Sequence, residues 1–290
     1  MVKNKAFSVK TTLNCGGKLL DLSTPQIMGV LNVTPDSFYD GGRYVDEKSV
    51  LQQAEKMINE GAAIIDVGGM STRPKAEMIS EQEEQQRAIP VVETIKKHFP
   101  DTIISIDTFR SNVAKAAVDA GATIINDVSG GNLDINMFET VAKLKLPYII
   151  MHMQGTPETM QENPNYSNVL LEVIELFKQK LTQLKTLGVN DIVIDPGFGF
   201  GKTSKHNFQL LKALGDLRIF ERPILAGLSR KTGMIKLAVG IKPADALNAT
   251  TVLNTIALLN GASILRVHDV KEAVEAVKLI EFYSSVSLES

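Results

Sequence analysis

Polar and apolar positions follow two periods along this chain. Short, nearly continuous apolar runs recur eight times: QIMGVLNV, AIIDVGG, TIISID, TIINDVS, YIIMHM, DIVIDPG, PILAGLS and SILRVH. Such runs suit parallel strands covered on both faces. Helical patterns lie between most of them. SVLQQAEKMINEG puts Leu51, Ala54, Met57 and Ile58 on one face, and EQEEQQRAIPVVETIKKHF and NVLLEVIELFKQKLTQLKTLG repeat the logic. Several patterns close on a glycine just before the next strand, as in NEG, DAG, TLG and LNG. ADALNATTVLNTIALLNG predicts a largely apolar helix between the seventh and eighth strands. Ahead of the series, residues 5–26 alternate weakly around Gly16-Gly17. They predict a short hairpin, FSVKTTL then KLLDLS, lying over the bottom of the structure.

Eight strand-helix units predict a closed α/β fold, a (β/α)₈ TIM barrel with a short N-terminal β-hairpin. An open dinucleotide-binding sheet fits less well, because the first βα turn has no GxGxxG. The 290 residues permit one large barrel or two ordinary domains. No linker, charge block or low-complexity stretch divides them, so one domain over 1–290 is expected. Apolar residues make up 44% of the chain, enough for a substantial core, and the net charge of -2 argues against a bulk nucleic-acid surface while leaving room for a local anion site. Cys15 is the single cysteine, which excludes an intramolecular disulfide and any Cys-based zinc pattern and points to a reducing, cytoplasmic setting. The opening MVKNKAFSVKTTLNCGG lacks the apolar stretch of a signal peptide. The apolar stretch 249–267 is interrupted by Asn254, Asn260 and Arg266, and so reads as buried helix plus buried strand, with no membrane association expected.

In a barrel the C-terminal strand ends carry the chemistry. Here they carry Asn32; Asp66 followed by Ser71, Thr72 and Arg73; Asp107; Asn126 and Asp127; His152 and Gln154; Asp195; Ser229, Arg230 and Lys231; and Arg266 and His268. One such residue would be an ordinary solvated terminus. Eight sets converging on one mouth predict a site. Arg266 and His268 share a strand face and resemble an anion clamp near strands 7 and 8, where barrels often bind phosphate. Asp107 and Asp195, with Asn126 between them, could satisfy a flat heterocycle rich in N–H donors. Salt bridges to nearby cations, or a divalent ion, are the other readings of these acids.

DPGFGFGKT looks like a phosphate loop but fails as one, since residue 196 is proline where the motif needs glycine. Phe198 and Phe200 read instead as an aromatic wall or as core. Two long segments, NVTPDSFYDGGRYVD and GGMSTRPKAEMISEQEE, read as lids that order over the mouth when substrates bind.

Taken together, IMGVLNVTPDSFYDGG, DVGGMSTRP, SIDT, INDVSG, MHMQGTP, DPGFGFGKT followed by HN, LAGLSRKTG and RVHDV closely resemble the dihydropteroate synthase family, in order and over residues 27–270. The resemblance implies transfer of a 7,8-dihydropterin-6-ylmethyl group from its diphosphate to 4-aminobenzoate, a step of folate biosynthesis, by a dissociative route. It implies Mg²⁺, a homodimer, and a site where sulfonamides compete. Asp107, Asn126, Asp195, Phe200, Lys231 and Arg266 would bind the pterin, with Asp107, Asp195, Lys231 and Arg266 catalytic. Asn32, Thr72, Arg266 and His268 would meet the diphosphate, Asn32 beside the metal. Phe38, Arg73, Pro74, Lys231 and Thr232 would form the 4-aminobenzoate side. Met70 and Thr232 depart from the common pattern, which more often has Glu and Ser there; Met70 removes a charge from the base of the second loop. A pterin-dependent methyltransferase on the same barrel, or a noncatalytic pterin binder, would not need the clamp and the PDSFYDGG loop together.

Overall fold

The computed structural model describes residues 8–33, 39–40, 44–70, 78–157, 159–240 and 245–287. Two short strands, β1 (Thr12–Cys15) and β2 (Lys18–Asp21), pair antiparallel across Gly16-Gly17. They are the expected hairpin in shorter form. The barrel strands are β3 (Gln26–Asn32), β6 (Ile64–Gly68), β7 (Ile103–Asp107), β8 (Ile124–Asp127), β9 (Tyr148–Met151), β10 (Ile192–Asp195), β11 (Leu225–Ala226) and β12 (Ile264–Val267). All eight coincide with the apolar runs. A minor antiparallel pair, β4 (Tyr39–Asp40) and β5 (Tyr44–Val45), sits in the first long segment.

The eight strands form one parallel sheet in which β12 lies beside β3. A parallel bridge between Ile194 and Ile224 joins β10 to the residue preceding β11 and closes the barrel. Around it run α1 (Glu47–Glu60), α2 (Glu81–His98), α3 (Ser111–Asp119), α4 (Met137–Leu144), α5 (Val169–Thr186), α6 (Ser204–Lys212), α7 (Thr232–Val239), α8 (Leu247–Leu259) and α9 (Val270–Ser285). Their starts follow local chemistry: Asp46, Ser80, Asn168 and Thr203 accept from the first free backbone N–H groups. α1 buries Val50, Ala54 and Met57, close to the predicted stripe.

Strand parity divides the core into two layers. Alternate residues face the helices: Ile65, Val67, Ile104, Ile106, Ile125, Ile150, Ile194 and Leu265 join the large outer cluster. The intervening residues face the barrel interior. The lowest interior ring is entirely apolar, with one residue per strand: Met28, Ile64, Ile103, Ile124, Ile149, Val193, Leu225 and Ile264. Leu13, Cys15, Leu20 and Leu22 from the hairpin pack onto it, so the hairpin plugs the bottom as expected. Burial pushes the Cys15 thiol up to about 12, which leaves it an inert core group.

Candidate active site

Two residues further along each strand, the interior ring changes character. Adding two to every member of the apolar ring gives Val30, Asp66, Ser105, Asn126, Met151, Asp195, Gly227 and Arg266. Five of these eight side chains are polar. Three carry charge, and all are held inside the barrel by the strand register. Asn126, Val128, Met151, Asp195, Phe198, Phe200, Ser229, Lys231, Arg266 and His268 line a single pocket at the C-terminal mouth. It encloses about 60 Å³ of free space and opens to solvent at the mouth.

Arg266 organises the floor. Its Nε donates to Asp66 Oδ2 at 2.6 Å, and its Nη2 donates to Asp107 Oδ2 at 2.6 Å. Asn126 Nδ2 donates to the same Asp66 Oδ2 at 3.1 Å. Asp107 therefore sits behind the guanidinium instead of lining the pocket directly. The salt-bridge reading of the acids holds for Asp107, while Asp195 faces the pocket. Asp66 Oδ1, Asp107 Oδ1 and Ser105 Oγ are buried without a hydrogen-bond partner among the described residues, so the floor has spare acceptor capacity for N–H donors. Burial raises the Asp107 carboxyl to about 7, against the pull of Arg266. Burial also raises Asp195 to about 6, although Gly197 N donates to its Oδ1 at 2.7 Å. Lys231 is lowered to about 8, by burial first and then by Arg266. Its Nζ lies 4.5 Å from the centroid of the Phe200 ring, where the ring face attracts a cation.

The remaining expected residues are placed as follows. Phe200 lines the pocket, and Phe198 both lines it and belongs to the core, at 1% exposed. His268 stands at the exposed rim, its backbone N donating to Ser229 Oγ at 3.1 Å. Asn32 closes β3 with its Oδ1 turned toward Gly68, where a Cβ would come within 3.4 Å. Thr232 opens α7 directly after Lys231. Phe38, Thr72, Arg73 and Pro74 lie outside the described residues. Met70 does not leave a gap: it packs with Phe109, Val128, Met151, Met153, Met160 and Phe200 in an apolar cluster beside the mouth.

Several strand-end residues serve the scaffold and not the pocket, His152 among them. Asp127 follows Asn126, so it points out of the barrel, where its oxygens accept from Ser129 N, Gly131 N and Tyr148 Oη. Arg230 pairs with Asp269 near the surface. Gln154 exchanges hydrogen bonds with the backbone of Asn165. Conversely, two buried residues had no role in the sequence reading. Asp66 joins Arg266 to Asn126, and Lys202 lies behind the wall that carries Phe200. A carboxylate inside the apolar run AIIDVGG, two residues after an interior isoleucine, was a usable signal for Asp66. Lys202 offered none, since nothing in the sequence shows which way a lysine leaves a glycine-rich turn.

A sequence model of the pterin binding enzyme family matches residues 28–268. The dihydropteroate synthase of Escherichia coli K12 is 45% identical over 267 residues, covering 91% of this chain and 94% of that protein. Among solved structures, a Yersinia pestis dihydropteroate synthase in complex with a sulfonamide drug superposes with a TM-score of 0.89. It is 42% identical and covers 95% of this chain and all (100%) of its own. A Xanthomonas albilineans dihydropteroate synthase with 4-aminobenzoic acid gives a TM-score of 0.89 at 36% identity, with 96% and 100% covered.

Proposed function

This chain belongs to the pterin binding enzyme family and, within it, to the dihydropteroate synthases, which are transferases, and on that premise we propose that it joins 7,8-dihydropterin-6-ylmethyl diphosphate to 4-aminobenzoate, giving 7,8-dihydropteroate and diphosphate. The observation that carries the reading is one pocket in which the desolvated carboxylate of Asp195, Asn126 and Lys231 surround an aromatic wall, with Arg266 across the floor and His268 at the rim.

The pyrimidine half of a pterin presents amine and ring N–H donors beside a carbonyl oxygen. Asp195 accepts from those donors, Asn126 both accepts and donates, and Lys231 donates to the carbonyl. Asp107, behind the guanidinium, would reach the edge only through its Oδ1, unpartnered among the described residues, and Phe200 covers the ring face. In the reaction the C–O bond to diphosphate breaks first, and its electron pair leaves with the diphosphate. The methylene carbon is left positive, with the charge spread into the reduced ring. The carboxylates of Asp107 and Asp195 stabilise that charge because they are already fixed and desolvated. Arg266 and His268, with Thr72 from the second long loop, meet the departing anion. The amine lone pair of 4-aminobenzoate then forms the C–N bond and releases a proton to solvent. Position matters more than activation for this weak, neutral nucleophile, and Phe38, Arg73, Pro74 and Thr232 with the Lys231 stem would provide it. A sulfonamide would compete in the same slot.

Mg²⁺ fits the donor set as a companion of the substrate. Among the described residues no three His, Cys, Asp or Glu side chains gather as a metal site. Asn32 contributes one hard amide oxygen at the mouth, and magnesium commonly binds through one or two protein oxygens plus substrate phosphates. When bound it would neutralise charge on the leaving diphosphate. A homodimer belongs to the same proposal. The packed helices α8 and α9 expose Val252, Ile256, Leu279 and Phe282, apolar surface of the kind found at interfaces; Phe282→Asp with Leu279→Lys should yield monomers in sedimentation. No described helix is long and apolar enough to cross a membrane, and the cytoplasmic setting expected from the cysteine usage completes the reading.

The test is diphosphate release from the pterin diphosphate, measured with and without 4-aminobenzoate. Release that depends on the arylamine supports the reaction. Release indifferent to it, or none in the presence of Mg²⁺, rejects it.

A further inference from the structure

One charged residue of DPGFGFGKT takes no part in the pocket chemistry. Lys202 is 3% exposed, deeper than most aliphatic residues around the mouth. Its Nζ donates toward His152 Nδ1 at 2.8 Å, and lies 3.2 Å from the His152 carbonyl oxygen and 3.0 Å from those of Gly197 and Phe200. An ammonium has three N–H donors and no acceptor. Every one of these acceptors belongs either to the end of β9 or to the 197–201 turn. Burial lowers Lys202 to about 7, with Asp195 pulling the other way, and the protonated amine fastens one segment to the other.

The turn needs fastening. Gly197, Gly199 and Gly201 hold φ of 70, 83 and 60°, and the segment presses so closely on the β9 end that a Cβ at Gly197 would meet the His152 oxygen at 2.0 Å. No larger residue fits there, yet three glycines give the turn wide freedom of its own. Its outer side is the pocket wall. Gly197 N holds Asp195 Oδ1, the Phe200 ring lies under Lys231, and Gly199 packs against the Lys231 stem. Behind it, His152 is 5% exposed and held down at about 3, by burial and then by Lys202. The ring is therefore neutral, and with Lys202 as the donor its proton belongs on Nε2, which leaves Nδ1 to accept.

We propose that Lys202 is a positioning residue for the pterin pocket: with His152 as its neutral acceptor, its ammonium fixes the 197–201 turn and so sets the spacing between Asp195, the Phe200 ring and Lys231. The inference rests on the pterin reading of that pocket. Small displacements of ligand-holding groups cost much in binding and rate, so the effect should fall chiefly on pterin recognition and only weakly on the arylamine slot, which shares the Lys231 stem and nothing else of the turn.

The experiment compares the parent with Lys202→Met, His152→Leu and His152→Asn, using 6-hydroxymethylpterin in calorimetry and both substrates in steady-state kinetics. Lys202→Met and His152→Leu should weaken the pterin about 10–100-fold, the range typical of residues that orient ligand-holding groups. They should raise KM for the pterin diphosphate to match and leave KM for 4-aminobenzoate within about twofold. His152→Asn, which keeps an acceptor near the Nδ1 position, should recover most of the affinity. A general loss of folding would not give that split or that rescue. If Lys202→Met does not fold, the two His152 variants decide, together with the ¹⁵N shifts of His152 in the parent, which should show the Nε2–H tautomer down to pH 5. Parent-like pterin affinity in Lys202→Met, equal defects in both His152 variants, or a protonated Nδ1 would overturn the proposal. A parent that binds no pterin would instead reject the pterin reading itself, a different outcome from an active parent with indifferent variants.

Discussion

Replacing Asp195 by asparagine should move function and stability in opposite directions. Asparagine keeps an oxygen for the Gly197 N–H, so the local turn survives. What disappears is a charge that burial disfavours: Asp195 is 6% exposed, and its carboxyl is raised from 3.8 to about 6. Below about pH 4 the group is protonated whether the chain is folded or not. Between 3.8 and about 6 the folded protein retains a proton that the unfolded chain has released, so the parent loses stability as pH rises through that window. Above it the loss is complete. A shift of about two pKa units corresponds to about 3 kcal/mol. That is a ceiling, because the Asp195 charge also supports the neighbouring ammoniums of Lys202 and Lys231, and roughly 1–2 kcal/mol of net gain is expected for Asp195→Asn at pH 8. Urea unfolding of the ligand-free proteins at pH 4 and pH 8 measures it, and the two should converge at the lower pH. Pterin affinity should meanwhile fall by about 2–5 kcal/mol, the usual loss for one partner of a buried charged pair. A variant less stable than the parent at pH 8, or a stability difference indifferent to pH, would refute the reasoning and make Asp195 a structural acid.

Asp127→Ala should show the reverse profile, losing about 2–4 kcal/mol of stability as its three donors are stranded, with both KM values unchanged. His268→Ala should weaken the diphosphate substrate while sparing a phosphate-free pterin in calorimetry. Arg266→Ala should weaken the diphosphate substrate and the phosphate-free pterin together, because it removes the pocket floor, and lose about 3–5 kcal/mol of stability, since it uncovers Asp66 and Asp107; Arg266 is therefore not a clean probe of the anion clamp. Phe38→Ala should raise KM for 4-aminobenzoate far more than it changes pterin affinity.

The barrel was legible because its strands are buried on both faces, which leaves eight apolar runs that no helix period explains. The site was legible for a related reason. Once the lower ring is Ile, Val, Leu or Met in every strand, a polar residue two positions later must face the interior. Asn126, Asp195 and Arg266 all obey that rule, and Asp66 obeys it too, although it had been given no role. Asp127 beside Asn126 follows strand parity: adjacent strand residues face opposite sides, so one enters the barrel and the other serves a turn. The pairing of Arg266 with Asp107 could not be read, because it joins strands 159 residues apart and depends on how a long side chain lies across the floor. Lys202 was hidden for the same kind of reason. Its direction is set by three glycines with positive φ, and backbone torsions of this kind leave no mark on hydrophobic periodicity.

The most direct test of the account is to quantify 7,8-dihydropteroate and diphosphate together, by mass spectrometry and a coupled assay, in reactions of the parent and of Asp195→Asn with Mg²⁺ and both substrates. Equal amounts of the two products are expected from the parent, none without 4-aminobenzoate, and loss of both from a variant that remains folded. Diphosphate without dihydropteroate, or undiminished dihydropteroate from Asp195→Asn, would contradict it.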